Sequence, residues 1–300
     1  MQQNTVQRPA EASGTLIIGG DLRVHRLGFG AMRITGDGIW GPPRDKQEAQ
    51  AVLRRALELG INLIDTADSY GPESSESLIA EALYPYPQDL VIATKGGLVR
   101  PGPNQWVPDG RPEHLREALE GSLQRLRLDH IDIYQFHRPD PNVPFEESVA
   151  VLARMREEGK IRHVGLSNVT IEQLAQAQQI VPIVSVQNRY NLISRESENM
   201  TREQSEKIID ICEQQGIAFI PWFPLATGDL AREGSPLDQI ARRHNAKPGQ
   251  IALSWLLMRS SATLPIPGTS SVKHLEENTM GATIKLAQGE FDLIDRSSKA

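Results

Sequence analysis

The chain has 300 residues, of which 39% are hydrophobic and 23% are charged, and its formal net charge is −6. This composition is typical of a globular protein, and a negative net charge gives no attraction to the phosphates of a nucleic acid. Nucleic acid is therefore not expected as a partner. Cys212 is the only cysteine, so no internal disulfide can form, and no apolar run approaches the roughly 18 residues that span a bilayer. We expect a cytoplasmic protein with no membrane partner.

The amino-terminal part of the chain predicts a short hairpin after a leader. Residues 1–13 are expected to be disordered, and residues 14–300 are expected to form a single domain. The hairpin is predicted from Thr15–Ile18 and Leu22–His25, because the glycine-rich segment between them favours a tight turn. We expect this hairpin to cover the bottom of the fold that follows.

Eight short apolar runs then alternate with helical patterns, and such runs are typical of parallel strands buried on both faces. Because crossovers between parallel strands are short and right-handed, eight units predict an α/β fold, a single (β/α)8 TIM barrel. The predicted strands lie at the start of 26–32 and at Ile61–Ile64, Leu90–Thr94, Ile131–Phe136, Ile161–Leu166, Ile183–Val186, Ile217–Ile220 and Thr263–Ile266. The predicted helices are Lys46–Leu59, Ser74–Leu83, Pro112–Leu126, Phe145–Glu158, Ile171–Gln179, Arg202–Gln215, Leu237–Arg259 and Val272–Met280.

Several common motifs are absent from the sequence. Gly28-Phe29-Gly30 begins like a dinucleotide-binding fingerprint, but Arg33 takes the place of the third glycine and no helix is predicted before about Lys46. No Walker lysine and no His-Glu-x-x-His motif occurs, and the seven histidines are scattered, so no metal site is predicted. Strands four and seven end without the carboxylic acids that a retaining glycosidase needs.

Four polar residues stand at or just past the ends of predicted strands two, three and four: Asp65, Tyr70, Lys95 and His137. Each alone has a structural explanation, as a surface lysine, a capping aspartate or a hydrogen-bonded core histidine. Together they would be costly to bury without mutual pairing. Because the carboxyl ends of parallel strands share one rim, we expect the four side chains to meet there and to transfer a proton to an oxygen.

Further motifs occur in order along the chain: Leu27-Gly28-Phe29-Gly30-Ala31-Met32, Ile64-Asp65-Thr66-Ala67, Ala93-Thr94-Lys95, Asp132-Ile133-Tyr134-Gln135-Phe136-His137, Gly165-Leu166-Ser167-Asn168, Gln187-Asn188, Trp222-Phe223-Pro224-Leu225 and Ile266-Pro267-Gly268-Thr269-Ser270-Ser271. With these motifs the chain resembles the aldo-keto reductase superfamily over roughly residues 23–278. The resemblance implies an NAD(P)-dependent oxidoreductase on a (β/α)8 barrel, with Asp65, Tyr70, Lys95 and His137 as its catalytic tetrad.

The physical chemistry of carbonyl reduction suits these four side chains. Hydride arriving at a carbonyl carbon leaves an alkoxide, which needs a proton and stabilisation of its charge. Tyr70 is the predicted acid, and we expect Lys95 to lower the pKa of its phenol. Asp65 would keep Lys95 charged, while His137 would donate a hydrogen bond to the carbonyl oxygen. His137 is the alternative acid if it is cationic in the folded protein.

The resemblance also implies the residues that hold the cofactor. The nicotinamide carboxamide would meet Ser167, Asn168 and Gln187, and Trp222 would stack on the ring unless it is simply a packing residue. The segment after strand eight would present helix N–H groups to a phosphate. The cofactor-binding residues implied are Gly30, Ala31, Met32, Asp65, Ser167, Asn168, Gln187, Trp222, Phe223, Pro224, Leu225, Gly268, Thr269, Ser270, Ser271, His274, Glu277 and Asn278.

One departure from the family pattern concerns cofactor choice. Many relatives carry Lys-Ser in place of Gly268-Thr269 and Arg in place of His274, and use those cations to hold the 2′-phosphate of NADPH. Lys273 and His274 lie close by in this sequence, and no acidic residue is expected at the ribose hydroxyl. We therefore expect NADPH, with NADH as a weaker cofactor.

The substrate is expected to be a small-molecule carbonyl compound held by loops. The predicted pocket walls are Trp40, Val99 and Trp106, which suit an aromatic aldehyde. The segments 40–45 and 267–271 resemble the bacterial pyridoxal-reductase-like branch, so pyridoxal is one expected substrate, beside other aldehydes or dicarbonyls. The alternative function is a nucleotide-binding regulatory subunit with slow or vestigial reductase activity.

Overall fold

The computed structural model describes residues 8–197, 199–225 and 232–297, and its centre is a sheet of seven parallel strands. The seven strands are β3 (Phe29–Gly30), β4 (Leu63–Asp65), β5 (Val91–Gly96), β8 (Ile131–Phe136), β9 (Ile161–Ser167), β10 (Ile183–Gln187) and β11 (Ala218–Phe219). Across the sheet they lie in the order β11-β10-β9-β8-β5-β4-β3, so each of them pairs with the sheet strand that comes before or after it in the chain.

The segment 262–266 joins the two edges of this sheet. On one side, Phe219 N donates to Ala262 O at 2.9 Å and Leu264 N donates to Phe219 O at 2.8 Å; on the other, Gly28 N donates to Pro265 O at 3.0 Å. The predicted parallel α/β fold is confirmed, and this closure is consistent with a (β/α)8 barrel. The eighth predicted strand is reduced to a single bridge at Thr263, since Pro265 and Pro267 have no N–H to donate to a ladder.

Helices cover the outside of the sheet and follow the predicted pattern with two differences. The predicted helix Leu237–Arg259 is two helices, because Lys247 is extended and Pro248 begins the second one. A last helix was not predicted at all. The helices are α1 (Lys46–Glu58), α2 (Ser74–Leu83), α3 (Pro112–Leu126), α4 (Phe145–Glu157), α5 (Ile171–Gln178), α6 (Arg202–Gln215), α7 (Pro236–Arg243), α8 (Pro248–Arg259), α9 (Val272–Met280) and α10 (Gln288–Ser297).

The amino-terminal segments pack against the sheet. Strands β1 (Thr15–Ile18) and β2 (Leu22–His25) form an antiparallel hairpin, and its apolar side chains belong to the same cluster as Val91 and Ile133 inside the sheet. Pro9–Ser13 forms a 3-10 helix in which Ala10 is buried. The expectation of a disordered leader is therefore wrong for residues 8–13, because Ala10 packs in the main core and its N–H donates to Leu59 O. Residues 1–7 lie outside the described residues.

Two short strands, β6 (Leu98–Val99) and β7 (Val107–Pro108), pair within the connection between β5 and α3. The connection follows directly on the carboxyl end of β5. No helix in the described part of the chain is long and apolar enough to cross a membrane. In that same part, no three His, Cys, Asp or Glu side chains are grouped as metal ligands.

Candidate active site

Lys95 lies at the carboxyl end of β5 and is fully buried. Its Nζ donates to Asp65 Oδ1 at 2.5 Å, to the Thr66 carbonyl oxygen at 2.8 Å and to Tyr70 Oη at 3.3 Å. All three donors of the ammonium group are therefore used, which is what a buried lysine requires. The structure brings Asp65, Tyr70 and Lys95 together as the sequence predicted.

The second carboxylate oxygen of Asp65 is held by two amides. Gln135 Nε2 and Gln187 Nε2 donate to Asp65 Oδ2 at 2.9 and 2.8 Å, and Gln187 Nε2 also lies 3.1 Å from Gln135 Oε1. The sequence analysis assigned no role to Gln135, although its position one residue before the end of β8 was the available signal. These contacts fix the carboxylate that faces Lys95.

The pKa values of Lys95 and Tyr70 are both raised, for different reasons. Burial acts to lower the pKa of Lys95, but Asp65 and Tyr70 outweigh it and the pKa is raised, so the ammonium stays charged. Burial raises the pKa of the Tyr70 phenol, and Lys95 opposes this rise without cancelling it. The expectation that Lys95 brings the pKa of Tyr70 below its usual value is wrong for the net shift, because desolvation of the phenolate is the larger effect.

His137 follows β8 and completes the predicted group of four. Its ring centroid lies 5.7 Å from that of Tyr70, at an interplanar angle of 81°. Burial, and then the positive charges of Lys95, Arg138 and Arg100, lower the pKa of His137 well below its usual value. The imidazole is therefore neutral at pH 7, and Ser69 Oγ lies 3.3 Å from its Nδ1.

A cavity of about 790 Å³ opens beside this group. Such a volume is within the range of pockets that hold small molecules and cofactors. The predicted site residues that line it are Gly30, Met32, Asp65, Tyr70, Trp106, His137, Ser167, Asn168, Gln187, Trp222, Phe223, Pro224, Leu225 and Gly268. Residues that the sequence analysis missed also line it: Arg33, Ile39, Leu98, Asn104, Arg138 and Ile266.

The remaining predicted residues do not line this cavity. In two cases the neighbour does so instead: Leu98 replaces Val99, because successive side chains of a strand point to opposite faces, and Ile39 replaces Trp40. The ring of Trp40 lies 5.7 Å from the Arg100 guanidinium carbon. Lys95 also does not line the cavity and reaches it only through its contacts with Asp65 and Tyr70. The others lie in the 3-10 helix Ala31–Ile34 and before or on α9: Ala31, Thr269, Ser270, Ser271, His274, Glu277 and Asn278.

The residues predicted to meet the nicotinamide form a connected polar patch on the cavity wall. Trp222 Nε1 donates to Asn168 Oδ1 at 3.1 Å, and Asn168 Nδ2 donates to Ser167 Oγ at 3.0 Å. Gln187 Nε2 is used within the site, whereas Gln187 Oε1 accepts no hydrogen bond from the described residues. A primary amide of the cofactor suits that acceptor, so the patch fits a nicotinamide carboxamide.

The segment before α9 passes very close to the end of β3. A Cβ atom on Gly268 would lie 2.5 Å from Gly30 O, and one on Gly30 would lie 2.6 Å from Ile266 O. Neither contact is possible for a residue with a side chain, because both partners are main-chain atoms. The lysine that many relatives carry at Gly268 therefore cannot occupy this backbone without a shift.

The amino terminus of α9 already has an acidic partner. Glu48 Oε1 of α1 accepts a hydrogen bond from Val272 N at 2.9 Å, and Lys247 Nζ lies 2.5 Å from Glu277 Oε1. The sequence analysis missed Glu48, because no local pattern reveals a contact across 224 positions. The expectation that no acidic residue meets the ribose hydroxyl concerns a different contact and stays a prediction.

A second buried polar group involves Arg125, Glu76 and Asp68. Arg125 Nε donates to Glu76 Oε2 at 2.7 Å, and Glu76 is completely buried. Asp68 Oδ1 is buried and has no hydrogen-bond partner in the described part of the chain. Burial, and then the charge of Glu76, raise the pKa of Asp68 to about 8, so this carboxyl group is mostly protonated at pH 7. No sequence motif indicated this.

Comparison with known proteins gives a consistent family. A profile described as "Aldo/keto reductase family" matches residues 26–299. An uncharacterized oxidoreductase of Schizosaccharomyces pombe is 52% identical over 97% of this chain and 92% of its own length. A pyridoxine 4-dehydrogenase of Escherichia coli is 42% identical over 93% of this chain and 97% of its own length.

Solved structures also resemble the whole fold. The crystal structure of an aldo/keto reductase from Klebsiella pneumoniae in complex with NADP and acetate aligns with a TM-score of 0.78 and 25% identity. The alignment covers 94% of each chain, so the similarity extends over the entire domain.

Proposed function

Since the chain belongs to the aldo/keto reductase family and is an NAD(P)H-dependent oxidoreductase, we propose that it reduces aldehydes or ketones to alcohols with NADPH, using Tyr70 as the acid. The observation that carries this proposal is the buried contact of the Lys95 ammonium with both Asp65 and the Tyr70 hydroxyl, beside a cavity of cofactor size.

The reduced cofactor supplies a hydride to the carbonyl carbon when it is bound. The carbonyl oxygen then becomes an alkoxide, which is a stronger base than a phenolate, so it takes the proton of Tyr70 Oη even though the pKa of that phenol is raised. The new phenolate lies 3.3 Å from Lys95 Nζ, and the ammonium stabilises its charge. Asp65 in turn holds the ammonium in place.

His137 acts in this proposal as a neutral hydrogen-bond donor. Its lowered pKa argues against a cationic imidazole at neutral pH and hence against the alternative in which it supplies the proton. If the Ser69 hydroxyl donates to Nδ1, the ring proton is on Nε2, where it is available to the carbonyl oxygen.

NADPH is proposed as the preferred cofactor. Lys273 lies one residue after the start of α9, and a structural relative is a complex with NADP. The carboxylate of Glu48 at the same helix start acts against a second negative charge, so we expect a modest preference over NADH.

Pyridoxal is proposed as the first substrate to test. The relative with 42% identity is described as a pyridoxine 4-dehydrogenase, and oxidation of an alcohol and reduction of its aldehyde are one equilibrium. The cavity wall of Trp106, Leu98 and Ile39 suits a flat ring.

The test is to follow NADPH absorbance with purified protein and a panel of pyridoxal, benzaldehyde and methylglyoxal, with NADH in parallel. We expect aldehyde-dependent oxidation that is faster with NADPH. NADPH binding without oxidation by any aldehyde would contradict the proposal and would favour a nucleotide-binding regulatory protein.

A further inference from the structure

Arg100 lies directly after β6, and its guanidinium group contacts three separate segments. Its Nε donates to Gln105 O at 2.7 Å, its Nη1 to Ser69 O at 2.9 Å and its Nη2 to Gly38 O at 3.0 Å. The acceptors belong to the β6–β7 loop, to the loop after β4 and to the loop after β3. Arg100 has no ion pair with a carboxylate among residues 8–197, 199–225 and 232–297. Its three hydrogen bonds are all made to main-chain carbonyl oxygens.

The same guanidinium group also lies close to two aromatic rings. The Arg100 guanidinium carbon lies 3.6 Å from the Trp106 ring centroid and 5.7 Å from that of Trp40. Trp106 in turn meets Tyr70 and His137 edge-on, at centroid distances of 6.2 and 6.5 Å. Arg100 therefore fixes the ring that borders two of the four catalytic side chains.

A second route connects Arg100 to the site through Ser69. The Ser69 carbonyl accepts from Arg100, while the Ser69 hydroxyl lies 3.3 Å from His137 Nδ1. Ser69 is buried, so the position of its hydroxyl depends on the main chain that Arg100 holds. The His137 ring therefore contacts both Ser69 and Trp106.

Building on the proposed function, we propose that Arg100 is a positioning residue for carbonyl reduction, which fixes Trp106 and Ser69 and through them places the carbonyl group against Tyr70 and His137. Lysine cannot replace it, because one ammonium group cannot donate to three carbonyls in the plane of a fork and stack on an indole. The charge alone is therefore not sufficient for this role.

The test compares Arg100→Lys, which keeps the charge, with Arg100→Met, which removes it. We expect both variants to lower kcat for the best aldehyde on the order of 10²-fold, because small displacements of a reacting group have effects of that size. The dissociation constant for NADPH, measured by calorimetry, should be unchanged. Arg116→Met is the control, since Arg116 makes a paired contact with Glu158 on the protein surface and should retain the parental kcat.

A double variant tests whether Arg100 acts through Trp106. If it does, the double variant Arg100→Met with Trp106→Phe should be little less active than the less active of the two single variants. Parental kcat in Arg100→Lys, or losses that multiply in the double variant, would overturn the proposal.

A measurement without substrate separates this proposal from the proposed function. Trp40 and Trp106 are two of the four tryptophans, so acrylamide should quench the emission of Arg100→Met more strongly than that of the parent. If the parent reduces no aldehyde, the proposed function fails, and the quenching still decides whether Arg100 holds the two rings. Equal quenching in parent and variant would overturn that holding role.

Discussion

On one side of the cavity the polar side chains are held by strand ends and by one another, whereas the opposite wall is held by loops and main-chain carbonyls. The strand-built half of the cavity region comprises Lys95, Asp65 and Gln187, which lie at the ends of β5, β4 and β10. The hydrogen bonds of Lys95 and Gln187 to the Asp65 carboxylate are 2.5 and 2.8 Å long. The loop-built half comprises Ile39, Leu98 and Trp106, near the Arg100 guanidinium group. The difference suggests that the strand-built half determines the chemistry and the loop-built half determines which carbonyl compound is accepted.

Lys95→Met is the most severe way to break the strand-built half. It leaves the Asp65 carboxylate buried without a cation, which costs about 3–5 kcal/mol in the free energy of unfolding, and it removes the partner of the phenolate. We expect aldehyde reduction to fall by about 10³-fold. Urea unfolding and steady-state kinetics measure the two effects.

The matched control for that variant is Lys160→Met. Lys160 pairs with Glu120 on the surface, where an ion pair contributes at most about 1 kcal/mol. A loss of stability in Lys160→Met equal to that in Lys95→Met would show that burial of the pair is not the cause.

Asp68→Asn tests the buried polar group of Asp68, Glu76 and Arg125. The raised pKa of about 8 means that the folded protein keeps a proton on Asp68 that the unfolded chain releases near pH 4. The folded state therefore binds more protons between these pH values, and the free energy of unfolding falls as pH rises through that window.

Asparagine removes this dependence, because its amide does not ionise. The free energy of unfolding of Asp68→Asn, relative to that of the parent, should therefore rise by about 1–3 kcal/mol from pH 5 to pH 8, as measured by urea unfolding at both pH values. A difference between variant and parent that is the same at both pH values would contradict the assignment.

Leu98→Ala sharpens the comparison from the loop-built half. Leu98 lines the cavity, so its truncation should raise KM for an aromatic aldehyde about 10-fold by loss of apolar contact. We expect the KM for NADPH and the kcat to stay near the parental values. Val99→Ala is the control, since Val99 is the neighbouring residue of β6 and does not line the cavity. A fall in kcat without a change in KM would place Leu98 with the chemical half.

Glu48→Gln has the smallest expected effect and concerns the start of α9. Removal of the carboxylate that accepts from Val272 N should favour an additional phosphate at that helix start. We expect the ratio of kcat/KM for NADPH over NADH to rise about three-fold, on the scale of a helix-dipole interaction. An unchanged ratio would show that the phosphate does not lie near Glu48.

The strand-built half was predictable from sequence for a physical reason. Asp65, Lys95 and Gln187 end short apolar runs, and parallel strands bring such ends to one rim whatever the details of the loops. Gln135 escaped notice because its role depends on the neighbouring strands.

The loop-built half was predictable only in part. Trp106 was found, but Ile39 and Leu98 were confused with their neighbours. Which face of β6 meets the cavity depends on the packing of the hairpin, and the course of the chain at Ile39 depends on contacts such as that of Arg100 with Gly38 O. The raised pKa of Asp68 and the contact of Glu48 arise from residues distant in sequence, which no local pattern records.

The acid assignment is the central claim, and single-turnover kinetics test it most directly. NADPH-loaded protein is mixed with aldehyde, and cofactor oxidation is followed for the parent, Tyr70→Phe and His137→Gln. We predict that Tyr70→Phe slows oxidation about 10³-fold with unchanged NADPH affinity. His137→Gln, which retains a donor group, should slow it less. Parental oxidation by Tyr70→Phe together with a near-complete loss in His137→Gln would contradict the account.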